Sequence, residues 1–282
     1  MTIIDGRETT KKIRAKLKEK VKAIKSQYSK VPGLAVIIIG DDAASKIYVS
    51  NKIKACEDTG IKSKSFELSS DVTQDYVLEL IDSLNNDKEI NGILVQLPLP
   101  KHLDESAILS KIDVAKDVDG FSAYQMGKLV LGEKSLVACT PSGIMELLNE
   151  YSIDLAGKEA VIIGRSNIVG KPMGHLLMKK NATVTTCHSR TQNLKAHTLR
   201  ADIIVAALGS AKFLKADMVK EGAVVIDVGI NREEGKLCGD VDFDNVAPKC
   251  SYITPVPGGV GPMTITMLLK NTVEAFLACY EG

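Results

Sequence analysis

No apolar run in this sequence approaches the ~20 residues that a membrane-spanning helix requires, so a helical membrane protein is excluded. The N-terminus, MTIIDGRETTKK, lacks the charged-then-apolar pattern of a signal peptide. An excess of charge is also missing. The 36 Lys+Arg stand against 35 Asp+Glu, which gives no support for nucleic acid or a membrane surface as partner. The 6 cysteines (Cys56, Cys139, Cys187, Cys238, Cys250, Cys279) show no C-x-x-C and no pairing with histidine at zinc spacing. They read as reduced residues of a cytoplasmic protein. The 4 histidines (His102, His175, His188, His197) make no metal set, and no metal is expected. Low-complexity segments and internal repeats are absent. A chain of 282 residues has room for about two domains and a sizeable core.

What is present centres on KEAVIIGRSNIVGKPMGHLLM, residues 158–178. Ala160 to Ile163 is an unbroken apolar run, as in a strand buried on both faces of a parallel sheet. Gly164 ends it, a polar turn follows, and Gly170, Pro172 and Leu176-Leu177 open a helix. Strand, glycine turn and helix N-terminus together form an anion site. The spacing Gly164-x5-Gly170 differs from G-x-G-x-x-G, so as a bare pattern it admits a dinucleotide or an ordinary tight turn. The next strand, 182–187, leads into His188-Ser189-Arg190-Thr191. An NAD site carries an acid here, roughly 20 residues after the glycines. None occurs between Lys171 and Arg200. Arg165, Ser189 and Arg190 welcome a 2′-phosphate instead, which favours NADP.

Along the rest of the chain, the periodicity of Ile13, Leu17, Val21 and Ile24 predicts a helix over about 9–26. Strands are expected at 34–39, at 61–68 (a shorter, more polar edge) and at 92–97, with helices at 45–58 and behind a capping box Asp71-x-x-Gln74. Thr140-Pro141 reads as the cap and first-turn proline of another helix. Strands at 160–163, 183–187, 203–206 and 223–228 repeat the alternation, and a last helix spans 263–280. The expected fold is α/β: two α/β lobes with a cleft between them, the C-terminal lobe a Rossmann-type NADP-binding domain. The division is 1–139, completed by the C-terminal helix 264–282, against 140–263.

Four elements can carry chemistry. Tyr48 and Lys52 share one helix face at i,i+4. Gln96 is an amide ending an aliphatic strand and needs partners. Lys116-Asp117-Val118-Asp119-Gly120 is an acidic turn that could equally be a plain Asp-Gly loop. PVPGGVGPM, residues 255–263, concentrates proline and glycine directly before a helix, as a rigid ligand-lining loop would.

Together these stretches closely resemble the bifunctional methylenetetrahydrofolate dehydrogenase/cyclohydrolase family. The resemblance rests on GDDAASKIYVSNK at 40–52, VQLPLP at 95–100, KDVDGF at 116–121, CTPSGI at 139–144, GRSNIVGKPM at 164–173 and PVPGGVGPMT at 255–264, with no departure at a position the family uses. It implies NADP-dependent oxidation of 5,10-methylenetetrahydrofolate to the 5,10-methenyl cation, then hydrolysis to 10-formyltetrahydrofolate. By the same resemblance Lys52 is the central catalytic residue, Tyr48 and Gln96 surround it, and Asp119 holds the pterin. The folate is contacted by Tyr48, Lys52, Val95, Gln96, Leu97, Asp119, Pro257, Gly258, Gly259, Val260 and Gly261. NADP is contacted by Gly164, Arg165, Ser166, Ser189 and Ile230. A cationic product would lower the pKa of a neighbouring lysine, leaving Lys52 able to take a proton from water. The resemblance also implies a cytoplasmic homodimer whose partner is a small folate, serving purine, histidine and methionine synthesis. The chain stops at Gly282, so the formyl-ligase domain fused to some relatives is expected to be absent. An enzyme resembling shikimate dehydrogenase would share a Lys/Asp pair and the nucleotide lobe, but would not account for VQLPLP or PVPGGVGPMT.

Overall fold

Strands that are aliphatic throughout need cover on both faces, and alternation with helices supplies it. The computed structural model describes residues 1–281; Gly282, the end of the C-terminal segment delimited above, lies outside the described residues. The first half runs β1 (Thr2–Ile3), α1 (Gly6–Tyr28), β2 (Gly33–Ile39), α2 (Ala43–Thr59), β3 (Lys62–Leu68), α3 (Gln74–Asn86), β4 (Gly92–Val95), α4 (Glu105–Lys111), α5 (Ala123–Leu131) and α6 (Cys139–Glu150). The second runs β5 (Glu159–Ile163), α7 (Gly170–Lys179), β6 (Thr183–Cys187), α8 (Leu194–Arg200), β7 (Ile203–Ala206), β8 (Ala223–Asp227), β9 (Asn231–Glu233), β10 (Lys236–Cys238), α9 (Phe243–Val246), β11 (Cys250–Ile253) and α10 (Val260–Glu281).

The chain divides into two compact units: residues 12–139 with 265 onward, and residues 1–11 with 140–264. In the first unit three parallel strands stand in the order β3-β2-β4. Every residue of the central strand β2 is buried, as its aliphatic run predicts. The edge strand β3 alternates exposed and half-buried residues, and at seven residues it equals β2 instead of being shorter. Val77, Ile81 and Leu84 of α3 pack with Ile37, Ile93 and Ile108 in the core. The cap of α3 is Thr73, whose hydroxyl accepts from Tyr76 N, so the sequence motif at Asp71 is not the cap. A hydroxyl one residue from the helix outcompetes an acid three residues away. β4 stops at Val95, two residues short of expectation, because Pro98 and Pro100 cannot continue a ladder. The order reverses at β2, with β3 on one side and β4 on the other. Its carboxyl end is therefore a ligand position, and α2 and the segment after β4 both start there.

The other unit carries a six-stranded sheet in the order β1-β11-β8-β7-β5-β6, parallel throughout. This is a Rossmann-type arrangement whose order reverses at β5, just before Gly164. Sequence periodicity missed β1, β11 and the antiparallel hairpin β9–β10. β1 has only two residues, too few for a pattern, and it joins residues 1–11 to this unit through β11. α6 already begins at Cys139, so Pro141 lies in its first turn as expected, while Thr140 is inside the helix and not its cap.

Candidate active site

The register of α2 is fixed at both ends. Asp42 caps it by accepting from Ser45 N at 2.7 Å, and Gly60 closes it in the left-handed region at φ 82°. Tyr48 and Lys52 then lie one turn apart. Lys52 is only 7% exposed, and its Nζ donates to Gln96 Oε1 at 2.9 Å. Gln96 Nε2 donates in turn to Leu97 O at 2.6 Å, which holds the amide oxygen toward the lysine. The Lys52 Nζ also stands 5.7 Å from the centroid of the Tyr48 ring, within reach of its π face. Burial lowers the pKa of Lys52, and the charge of Asp119 pulls it back up in part. Burial raises the Tyr48 phenol.

The acidic turn divides its two carboxylates between two tasks. Asp117, 4% exposed, accepts from Gly120 N at 3.0 Å, Phe121 N at 3.2 Å and Ser122 N at 2.8 Å. It is the acid that builds the turn, and its bridge to Ile93 lays that turn along β4. Asp119 is left to face Lys52 and Cys139. Its carboxyl is pushed up to about 6, chiefly by burial, with Lys52 and the Cys139 hydrogen bond opposing and Asp117 reinforcing. Asn271 of α10, 8% exposed, donates to Val118 O at 2.8 Å and Val137 O at 2.9 Å, holding both chains that flank Asp119 and Cys139. Val95 is buried in the core behind β4, so its side chain points away from solvent, and Leu97 follows the strand end. Sequence reasoning missed Asp117, Cys139 and Asn271, because nothing local distinguishes a buried turn acid or a distant amide from surface ones.

In the second unit Gly164 adopts φ +132°, and a Cβ there would sit 2.1 Å from Ala207 O. A Cβ on Gly170 would lie 2.3 Å from Gly164 O. The turn after β5 therefore tolerates no side chain at either glycine. Ser166 Oγ accepts from Val169 N at 3.2 Å and Gly170 N at 3.4 Å as α7 starts. Ile163 pairs with Cys187, so Arg165 and Ser189, each two residues further on, emerge at the same sheet edge, both exposed. Ile230 is 56% exposed in the loop after β8. A glycine cradle closed to Cβ atoms, cations beside it and no acid after β6 fit NADP. Pro257 to Gly261 belong to this unit as well. Gly258 O accepts from Gly6 N at 2.9 Å, Gly259 N donates to Pro255 O at 2.9 Å, and Val260 is buried where α10 begins.

A Rossmann-type unit, together with an α/β unit that holds a lysine–amide–carboxylate group, defines a two-domain dehydrogenase-like α/β protein. Residues 4–119 match the profile of the tetrahydrofolate dehydrogenase/cyclohydrolase catalytic domain, and residues 138–279 that of the same family's NAD(P)-binding domain. The chain is 60% identical over 279 residues to the bifunctional protein FolD of Campylobacter hominis, covering 98% of this chain and 97% of the relative. It is 58% identical over 275 residues to that of Bacillus velezensis, covering 97% of each. The crystal structure of the Campylobacter jejuni methylenetetrahydrofolate dehydrogenase/cyclohydrolase superposes with a TM-score of 0.97 at 52% identity over 99% of both chains. A Trypanosoma brucei enzyme of the same description, complexed with NADP and an inhibitor, gives 0.95 at 39% identity, covering 100% of this chain and 99% of its own. Shikimate dehydrogenase from Aquifex aeolicus, at 12% identity and a TM-score of 0.52, shares the fold alone. The chain belongs to the tetrahydrofolate dehydrogenase/cyclohydrolase family. It is a bifunctional enzyme: an NADP-dependent methylenetetrahydrofolate dehydrogenase and methenyltetrahydrofolate cyclohydrolase.

The raised pKa of Asp119 has a definite sign in the stability of the fold. An acid at about 6 in the folded chain and about 3.9 unfolded makes the native state the stronger proton binder between those values, so this group's stabilisation is lost as pH rises through the window. Asp119→Asn removes that loss. Urea titrations across the window should show the variant gaining stability relative to wild type from pH 4 to 6; a difference that does not change with pH contradicts the assignment.

Proposed function

We propose that Lys52 is the general base of the hydrolytic step and that the groups around it serve both reactions. The observation that carries this reading is the 2.9 Å hydrogen bond from Lys52 Nζ to Gln96 Oε1 at a lysine that is only 7% exposed. A buried amine favours its neutral form, and a cationic methenyl carbon beside it favours that form further. Neutral Lys52 takes a proton from the water that attacks the methenyl carbon. The carbon–N5 bond then breaks as N5 takes that proton from Lys52, the carbinol O–H gives its own proton to the freed amine and on to solvent as the formyl C=O forms, and 10-formyltetrahydrofolate leaves. Gln96 orients the amine, and Tyr48 covers it. Asp119 accepts from the pterin ring N–H and amino group and fixes the plane of the folate. Val95 and Leu97 contribute main chain at the strand end, and Pro257, Gly258, Gly259, Val260 and Gly261 line the folate.

Oxidation of the methylene carbon asks mainly for alignment. NADP, when bound, supplies the hydride acceptor. Gly164, Arg165, Ser166, Ser189 and Ile230 hold it, Arg165 and Ser189 at the 2′-phosphate. In this reading the folate-binding and catalytic domain is 1–139 completed by the C-terminal helix from 264, and 140–263 is the NADP-binding domain, with residues 1–11 adding an edge strand to its sheet. We extend the proposal to a cytoplasmic homodimer that supplies one-carbon units for purine, histidine and methionine synthesis. The location is supported by two features: among the described residues no helix is long and apolar enough to cross a membrane, and the cysteines are free. The dimer and the pathways rest on the family resemblance alone.

Lys52→Met keeps the length of the side chain and removes the amine. Cyclohydrolase activity should fall by the ~10²–10⁴ of a lost general base, with NADP affinity unchanged and the dehydrogenase less affected. Both rates measured on one preparation decide it, and hydrolysis at the wild-type rate would remove Lys52 from the role. Arg165→Ala should weaken NADP binding about 10- to 100-fold, the equivalent of one charge-assisted hydrogen bond, while sparing NAD. Equal losses for both cofactors would reassign the residue.

A further inference from the structure

Two buried carboxylates in the Rossmann-type unit take no part in the chemistry described above. Asp240 is fully buried and accepts from three successive backbone donors, Leu208 N at 2.7 Å, Gly209 N at 2.9 Å and Ser210 N at 2.8 Å. A fourth donor is Asn231 Nδ2 at 2.9 Å. Asp227, 2% exposed, accepts from Gly229 N at 3.0 Å, Asp240 N at 2.9 Å and Val241 N at 3.0 Å. A carboxylate buried this deeply persists because its lone pairs are met by N–H groups. The donors come from the loops after β7, β8 and β10 and from Asn231 at the start of β9. Glycines let the loops close on the acids: a Cβ on Gly229 would lie 2.2 Å from Asp240 Oδ1, and one on Gly239 1.8 Å from Asp227 Oδ2.

The loops after β7 and β8 leave the carboxyl edge of the six-stranded sheet, and β7 neighbours β5, where the order reverses. The loop after β7 begins at Ala207, the residue whose carbonyl occupies the space a Cβ of Gly164 would need. Ile230 is flanked on one side by Gly229, tied to Asp227, and on the other by Asn231, tied to Asp240. Its exposed side chain is thus presented between a neighbour held by its backbone N–H and one held by its side-chain amide.

We infer that Asp240, supported by Asp227, is a positioning residue for NADP: it sets the 207–210 loop against the Gly164 turn and holds Ile230 in place for the cofactor. The inference rests on the reading that the Gly164 turn and Ile230 contact NADP. A purely structural acid would act on both activities through the fold. A positioning acid acts on the cofactor side and leaves hydrolysis of the methenyl substrate, which uses no NADP, alone.

Asp240→Asn turns one acceptor oxygen into an amide facing backbone N–H groups. Asn231→Ala is milder, leaving the carboxylate with its three backbone donors. NADP dissociation constants from titration calorimetry on the full chain, and the cyclohydrolase rate measured without NADP, separate the cases. Asp240→Asn should weaken NADP about tenfold or more and Asn231→Ala about threefold, sizes suited to charge-assisted and single neutral-donor hydrogen bonds, while hydrolysis stays within about twofold. Unchanged NADP affinity in both variants, or affinity and hydrolysis falling together, overturns the inference. A wild-type chain that fails to bind NADP in the same titration overturns the cofactor reading beneath it.

Discussion

An amine taken out of water loses most of its preference for the charged form, and the surroundings of Lys52 are arranged around that fact. Gln96 offers it an oxygen and not a second charge, so the hydrogen bond survives whichever protonation state Lys52 adopts. The amide is itself locked by its bond to Leu97 O, and that bond depends on β4 ending where it does, before Pro98. The charge of Asp119 is the largest counterweight to the burial of Lys52, and its own carboxyl is pushed up to about 6, chiefly by burial as well. Each charge thus offsets part of the shift that burial imposes on the other.

The second unit solves a different problem with the same economy of charge. Here the buried anions are satisfied by backbone N–H groups, which costs no cation and fixes loops at the same time. Asp117 does this for the turn that carries Asp119, as Asp240 and Asp227 do for the loops around Ile230. In each case a buried acid sets the backbone next to a residue proposed to contact a ligand. In both units a buried carboxylate gathers backbone N–H groups of loops.

Much of this was legible in the residues. The aliphatic runs at β2, β4, β5, β7 and β8 could only be strands covered on both faces, and Gly164 and Gly170 marked the turn that admits no Cβ. The i,i+4 spacing of Tyr48 and Lys52 placed them together, and the strand-end amide of Gln96 announced an unmet hydrogen-bonding need. What stayed hidden depends on long-range pairing. β1 is too short for any period, and β11 shows its place only beside β8. Asp117 and Asp119 are two residues apart in one turn, and only the direction of the Gly120–Ser122 N–H groups tells them apart. Asn271 and Asp240 reach partners more than 130 and about 30 residues away, beyond any local pattern.

The proposed hydrolytic chemistry depends on the protonation of one side chain, which can be observed directly. Lysine labelled at Cε allows Lys52 to be titrated by NMR in the full chain, with Lys52→Met identifying its signal. Burial beside the Gln96 amide predicts a pKa below the ordinary lysine value of 10.5, and a lower value still when a cationic folate analogue is bound. A Lys52 that titrates at or above 10.5 in both states would contradict the claim that this site prepares a neutral amine.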